Sequence, residues 1–286
     1  MSKIFFLGAG KMATAIAGGL VKSGLYKSCE LAAFDVSAAA GENFTRETGV
    51  KVTALDDIAN ADAVLLAVKP QMLFQALAPF QGKLAGKLLQ FGGFDEERKA
   101  PLQGKLAGKL IISIVAGVKI KQIAEFVNSE RIVRVMPNTP ALVGEGASAY
   151  APGSGASVED AALVGKILEA VGVAYQVKES DLDAVTGLSG SGPAYVFEFI
   201  QALADGGVAE GLSRDVAVKL AAQTLLGAAK MVLTTGKHPI ELCDAVTSPA
   251  GTTSRGLEQL AQNAFAGTVI KAVRAASERS RQLGKM

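Results

Sequence analysis

Four large apolar residues, Ile4-Phe5-Phe6-Leu7, run straight into Gly8-Ala9-Gly10-Lys11-Met12-Ala13. Helical periodicity follows through Met12, Ile16 and Leu20 and stops at Gly24. A buried strand, a glycine turn and a helix in that order open a βαβ unit. In the pattern G-x-G-x-x-A, Gly8 permits the tight turn and Gly10 lets the backbone approach a pyrophosphate. Ala13 lets helix and strand pack closely. The helix N-terminus adds unpaired N–H groups and a partial positive charge, which favour an anion.

The rest of the first half continues the alternation. Apolar runs recur at Leu31–Phe34, 63–68, 110–115 and 131–136, with helical stretches such as 71–77 and Ile120–Val127 between them. Near-continuous apolar strands separated by helices predict a parallel sheet covered on both faces, and right-handed crossovers make it a doubly wound α/β Rossmann domain. From about residue 180 no strand is evident. Segments 193–206, 214–234, 240–246, 254–263 and 264–282 all read as helices. The expected organisation is a dinucleotide-binding domain over 1–179 and an all-helical domain over 180–286. The Ala-rich helix from Arg214 has few polar positions, and a lone bundle of this size would not hide it, which predicts a helical subunit interface.

Composition removes several function classes. With 29 Lys plus Arg against 27 Asp plus Glu, the chain lacks the basic surplus that nucleic acid binding requires. Two cysteines, Cys29 and Cys243, are too few for a disulfide scaffold, and the single His238 excludes any site built on two histidines, so no metal site is expected. The 49% hydrophobic content supports a large core. No stretch of about 18 uncharged apolar residues occurs, which predicts no membrane span. A reduced, cytoplasmic globular protein is the expectation. Residues 78–88, APFQGKLAGKL, recur almost unchanged at 100–110 as APLQGKLAGKL. This reads as a tandem duplication accommodated in a loop, with a regulatory loop as the alternative.

Other residues gather at the predicted strand ends. Asp35 ends the second strand, where a carboxylate accepts hydrogen bonds from a ribose 2′-hydroxyl and repels a 2′-phosphate; the alternative is a solvent-facing residue at a helix start. Lys69 follows the strand at 63–68, and Pro70 starts the next helix. The segment Met136-Pro137-Asn138-Thr139-Pro140 makes an irregular loop at the same edge. In the helical half, residues 186–195, TGLSGSGPAY, allow close backbone approach, and residues 246–253, VTSPAGTT, place hydroxyls and N–H groups ahead of a helix, a setting that suits a carboxylate.

Taken together, GAGKMA at 8–13, AVKPQ at 67–71, MPNTPALVGEGA at 136–147, DAVTGLSGSGPAY at 183–195 and VTSPAGTT at 246–253 resemble pyrroline-5-carboxylate reductases, along nearly the whole chain. The resemblance implies an N-terminal Rossmann domain and a helical domain that interlocks with a second subunit, giving a homodimer or a larger assembly of dimers. It implies reduction of 1-pyrroline-5-carboxylate to L-proline with NADP(H) or NAD(H). By the same resemblance, Gly8, Ala9, Gly10, Lys11, Met12 and Ala13, then Ala67, Val68, Lys69, Pro70 and Ala116, line the cofactor. Ser248, Gly251, Thr252 and Thr253 hold the substrate carboxylate, with Thr253 near the ring nitrogen and catalytic roles at Thr253 and Ser248. The chain departs from the family in the duplication, in Asp35 and in Ala250, where a glycine is usual.

The chemistry agrees with what the chain lacks. A ketone reductase makes an alkoxide and needs a proton donor such as His or a Tyr–Lys pair. A protonated cyclic imine already carries the positive charge that attracts hydride, so alignment and a carboxylate clamp suffice. A β-hydroxyacid dehydrogenase is the rival enzyme, but it wants a basic catalytic residue that 196–210 does not contain. A non-catalytic dinucleotide sensor would not need the 248–253 loop.

Overall fold

The computed structural model describes residues 3–80, 102 and 104–284. The chain forms two compact units, one of residues 1–190 with 276–286 and one of residues 191–275.

The first unit is built on one eight-stranded sheet. Its strands are β1 (Ile4–Leu7), β2 (Leu31–Phe34), β3 (Lys51–Val52), β4 (Ala63–Leu66), β5 (Leu110–Ser113), β6 (Ile132–Met136), β7 (Gly146–Pro152) and β8 (Gly172–Gln176), in the order β3-β2-β1-β4-β5-β6-β7-β8. Strands β1 to β6 pair in parallel, and β1, β4 and β5 are buried at every residue. The β6–β7 pair is antiparallel, so the all-parallel expectation fails at this end, and β7 and β8 run opposite to the rest. Neither β7, with sequence GASAYAP, nor β8 shows a long apolar run; pairing with a neighbour sets strand state more than intrinsic preference does.

Helices α1 (Lys11–Lys22), α2 (Ala38–Thr48), α3 (Leu73–Leu77), α4 (Ile120–Val127) and α5 (Val158–Glu169) complete this layer structure. One core holds Ile4, Phe6, Ile16 and Leu20 with Val164 and Ile167; the other holds Phe5, Leu7, Leu66, Leu73 and Ile123. Arg131 grips the nearly buried Asp160 with two hydrogen bonds, at 3.0 and 2.6 Å, and holds its carboxyl below the usual carboxylate range. Residues 81–88 of the first repeat copy and residues 100, 101 and 103 of the second lie outside the described residues; in the first copy Phe80 is buried. Within the second copy, Leu102, Leu106 and Leu110 are buried.

Helix α6 (Leu182–Val185) and a π-helical turn (Thr186–Gly190) stay with the sheet, because Leu182 is buried against Ala149 and Ala151. The boundary between compact units thus lies at 190/191, whereas the sequence pattern changes near 180.

The second unit holds α7 (Gly192–Ala209), α8 (Arg214–Thr235), α9 (Pro239–Ala245), α10 (Thr252–Gln262) and the first part of α11 (Phe265–Leu283). Pro193 at the start of α7 and Gly236 beyond the end of α8 sit where proline and glycine suit helix ends. Within this unit Ala204, Ala217 and Ala221 form the buried cluster. Helix α8 is apolar enough by length and composition to cross a bilayer, although Lys219 and Lys230 interrupt it, and Leu220, Leu226 and Leu233 are 55%, 57% and 79% exposed. So much bare apolar surface on one helix marks an interaction face.

Candidate functional site

Parallel register brings the predicted cofactor residues to one edge. Leu7 aligns with Phe34 on one side and Leu66 on the other, and Leu66 aligns with Ser113. The turns after β1, β2, β4 and β5 therefore emerge side by side at the carboxyl ends. They carry Gly8–Ala13, Asp35, Ala67–Pro70 and Ala116. Backbone hydrogen bonds extend the ladder into them: Gly8 N–H to Phe34 carbonyl at 2.8 Å, Ala67 N–H to Leu7 carbonyl at 2.9 Å, and Ile114 N–H to Leu66 carbonyl at 3.1 Å. The chain reverses its winding between β1 and β4, and in open α/β sheets ligands bind at this switch point.

The glycine turn fits a pyrophosphate. Gly8 has φ +107°, and a methyl there would come within 2.8 Å of the Ala67 carbonyl carbon and oxygen. At Gly10 a methyl would meet nothing within 4 Å, so space lies above this residue. Helix α1 begins with no side-chain cap and no acidic residue in its first turn, which leaves its leading N–H groups for an anion. Ala9 and Ala13 are buried against the sheet, while Gly10, Lys11, Lys69, Pro70 and Ala116 are exposed.

Asp35 is half-buried and already engaged. Its Oδ2 accepts the Ala9 N–H at 2.7 Å and its Oδ1 accepts the Ser37 N–H at 2.9 Å. The carboxylate thus braces the glycine turn, and each oxygen keeps a second lone pair for a sugar hydroxyl. Ser37, not Asp35, caps α2 by accepting the Ala40 N–H.

One residue stood out in the sequence only as part of a proline loop. Asn138 is 7% exposed; its Nδ2 donates to the Ser189 carbonyl at 3.0 Å and its Oδ1 accepts the Ala147 N–H at 2.9 Å. It ties the 136–140 loop to the π-helical turn at 186–190. No cis peptide bond occurs among the described residues, so the bonds before Pro137 and Pro140 are trans.

Ser248, Gly251, Thr252 and Thr253 come together in the second unit, at the start of α10. Gly251 is the N-cap residue, and no side chain caps this helix. Its own N–H donates to the Ser248 carbonyl at 3.0 Å, so the Gly251 amide serves the turn. The N–H groups of Thr252 and Thr253 lie in the first helical turn, where no intrahelical acceptor exists. A methyl on Gly251 would overlap Ser248 Oγ, so any larger residue would force the serine hydroxyl to turn away. Ser248 and Thr252 are exposed and Thr253 is half-buried. Ala250 sits at φ +56°, in the left-handed region that favours glycine, so the alanine strains the backbone. Ala250→Gly is expected to raise stability by about 1 kcal/mol, the usual cost of a Cβ in the left-handed region, read as a higher denaturant midpoint. His238 Nδ1 accepts the Ile240 N–H at 3.3 Å and caps α9, an ordinary helix-start role.

Comparison with known proteins gives the family. Residues 179–283 match the pyrroline-5-carboxylate reductase dimerisation model, and residues 3–89 match the model described as NADP oxidoreductase coenzyme F420-dependent. A pyrroline-5-carboxylate reductase of Arabidopsis thaliana is 43% identical over 99% of this chain and 96% of its own length. This chain belongs to the pyrroline-5-carboxylate reductase family. The reductase of Methanosarcina acetivorans is also 43% identical, over 99% of this chain and 98% of its own. Among solved pyrroline-5-carboxylate reductases, the Coxiella burnetii structure superposes with a TM-score of 0.85 at 32% identity, covering 100% of this chain and 99% of that one. The Plasmodium falciparum structure, which has NADP bound, gives 0.81 at 34% identity, covering 99% and 98%. The two-part architecture of Rossmann sheet and helical reductase domain is therefore that of the family.

Proposed function

We propose that this protein reduces 1-pyrroline-5-carboxylate to L-proline, the last step of proline biosynthesis, with NADPH or NADH. The observation that carries the reading is the pair of anion-suited helix starts, α1 and α10, in a chain of this family. Residues 1–179 supply the dinucleotide site, and residues 180–286 supply the substrate loop and the contacts of a homodimer, in the cytoplasm. The bare apolar face of α8 supports the dimer.

The cofactor residues take distinct parts. Gly8, Ala9, Gly10, Lys11, Met12 and Ala13 hold the pyrophosphate by backbone, and Asp35 meets the adenosine ribose. Ala67, Val68, Lys69 and Pro70 line the middle of the edge. Ala116, on the side of β1 away from Asp35, lies towards the nicotinamide. Bound reduced nicotinamide supplies a hydride to the imine carbon. The chain does the rest by placement. Ser248 Oγ and the first N–H groups of α10 hold the substrate carboxylate, aided by the positive helix end. Thr253 hydrogen-bonds at the ring nitrogen, which keeps the proton it already carries as the ring becomes an amine. No side chain has to gain or lose a proton in that scheme, in keeping with the capping role of the one histidine.

Initial rates with 1-pyrroline-5-carboxylate, measured with NADH and NADPH in parallel, test the reading; no oxidation of either nucleotide refutes it. Asp35→Ser removes a negative charge from the ribose end, and like charges held together are costly. The ratio of kcat/KM for NADPH over NADH is expected to rise about tenfold, since about 1.4 kcal/mol corresponds to that factor. An unchanged ratio places Asp35 away from the 2′ position.

A further inference from the structure

The end of the chain returns to the first unit, where residues 276–286 join 1–190. Ser277 and Ser280 of α11 are buried, and Ser280 Oγ donates to Asp183 Oδ1 of α6 at 2.6 Å. The helix end then meets the turn that follows β5. A methyl on Gly117 would touch Leu283 Cβ at 3.4 Å. One on Gly284 would come to 3.1 Å from the Gly117 carbonyl oxygen and 3.6 Å from Lys119 Cε. The helix end and the turn are thus in van der Waals contact, tight only at Gly284, and Gly117 holds a left-handed φ of +77°.

The same turn is fixed on its inner side. Ile114 N–H donates to the Leu66 carbonyl at 3.1 Å, and Ser113 Oγ, fully buried, accepts the Val115 N–H at 3.3 Å. Val115 and Val118 are buried in the core below. Ala116 stands between these anchors and is exposed. A short turn held by the sheet on one side and a helix end on the other presents one small residue outward.

We infer that residues 277–284, the end of α11, are a positioning element for the Ala116 turn and so set where the nicotinamide end of the cofactor lies. The inference rests on the placement of Ala116 at the nicotinamide. Small displacements of a reacting group cost catalysis far more than they cost binding. The adenosine end, held by Gly8–Ala13 and Asp35 elsewhere on the edge, is independent of this support.

Two variants of the full protein test it: a chain ended after Gln282, which removes the Leu283 and Gly284 contacts, and Ser280→Ala, which removes the tie to Asp183. Three readouts are compared with the parent: kcat, amide exchange over 114–119, and dissociation constants. Binding is measured for NADPH against 2′-phospho-ADP-ribose and for NADH against ADP-ribose, each fragment lacking the nicotinamide ring. Expected are faster exchange over 114–119, a kcat lower by about tenfold, weaker binding of the intact nucleotides and unchanged binding of the fragments. Equal loss of nucleotide and fragment, or unchanged exchange, overturns the positioning role. Ala116→Leu separates the two readings. Unchanged nucleotide binding in that variant refutes the placement of Ala116. Weakened binding there, alongside end-helix variants identical to the parent, refutes the brace alone.

Discussion

Gly8→Ala is expected to destabilise the protein by about 3 kcal/mol, adding a strained φ to a steric overlap. The two contributions are separate. At φ +107° any Cβ is unfavourable, and this one would also press on the Ala67 carbonyl group at 2.8 Å. Ala67 cannot retreat easily, because its N–H is bonded to Leu7 in the sheet ladder. The denaturant midpoint should fall with little change in slope, and nucleotide affinity should fall with it. Gly10→Ala is the control. It has an ordinary extended backbone and an open space for the methyl, so stability should hold while nucleotide binding weakens. Equal stability of the two variants would mean that the turn between β1 and α1 tolerates what its geometry forbids.

Thr253→Ala is expected to lower kcat by about a hundredfold, the scale seen when one well-placed hydrogen-bonding partner at a reacting centre is lost. Its effect on NADPH affinity should be small, since Thr253 belongs to the 248–253 turn and not to the nucleotide edge. Thr253→Ser keeps the hydroxyl and should recover most of the rate. Loss of NADPH binding in Thr253→Ala, with kcat preserved at saturation, would contradict the role given to this residue.

What the sequence disclosed follows from which physics is local. Strands β1, β2, β4, β5 and β6 announce themselves because both sides are covered, so nearly every residue is apolar. The glycine turn is legible because φ and steric demands act on single residues. Strand β7, by contrast, is made of small residues and owes its place to partners on both sides, which no local pattern encodes. The double use of the Asn138 amide was hidden for the same reason: its acceptor, Ser189, lies 51 positions away. Asp35 directly follows the apolar run of β2, but its bond to the Ala9 amide depends on how two turns meet. At 246–253 the residue types pointed to an anion, whereas the engagement of the Gly251 amide within its own turn needed coordinates.

Because α11 carries the chain back into the sheet unit, the helical unit is spliced into the first rather than appended to it. A protease that nicks the backbone once near 190 yields two fragments, 1–190 and 191–286, and only the non-covalent contacts of 276–284 tie the second to the sheet unit. A gene fragment stopping at 190 would encode a sheet that lacks its last supporting turn. Anyone wishing to study nucleotide binding without the helical unit must therefore supply 276–284 again, as a separate peptide or as a fusion across the gap.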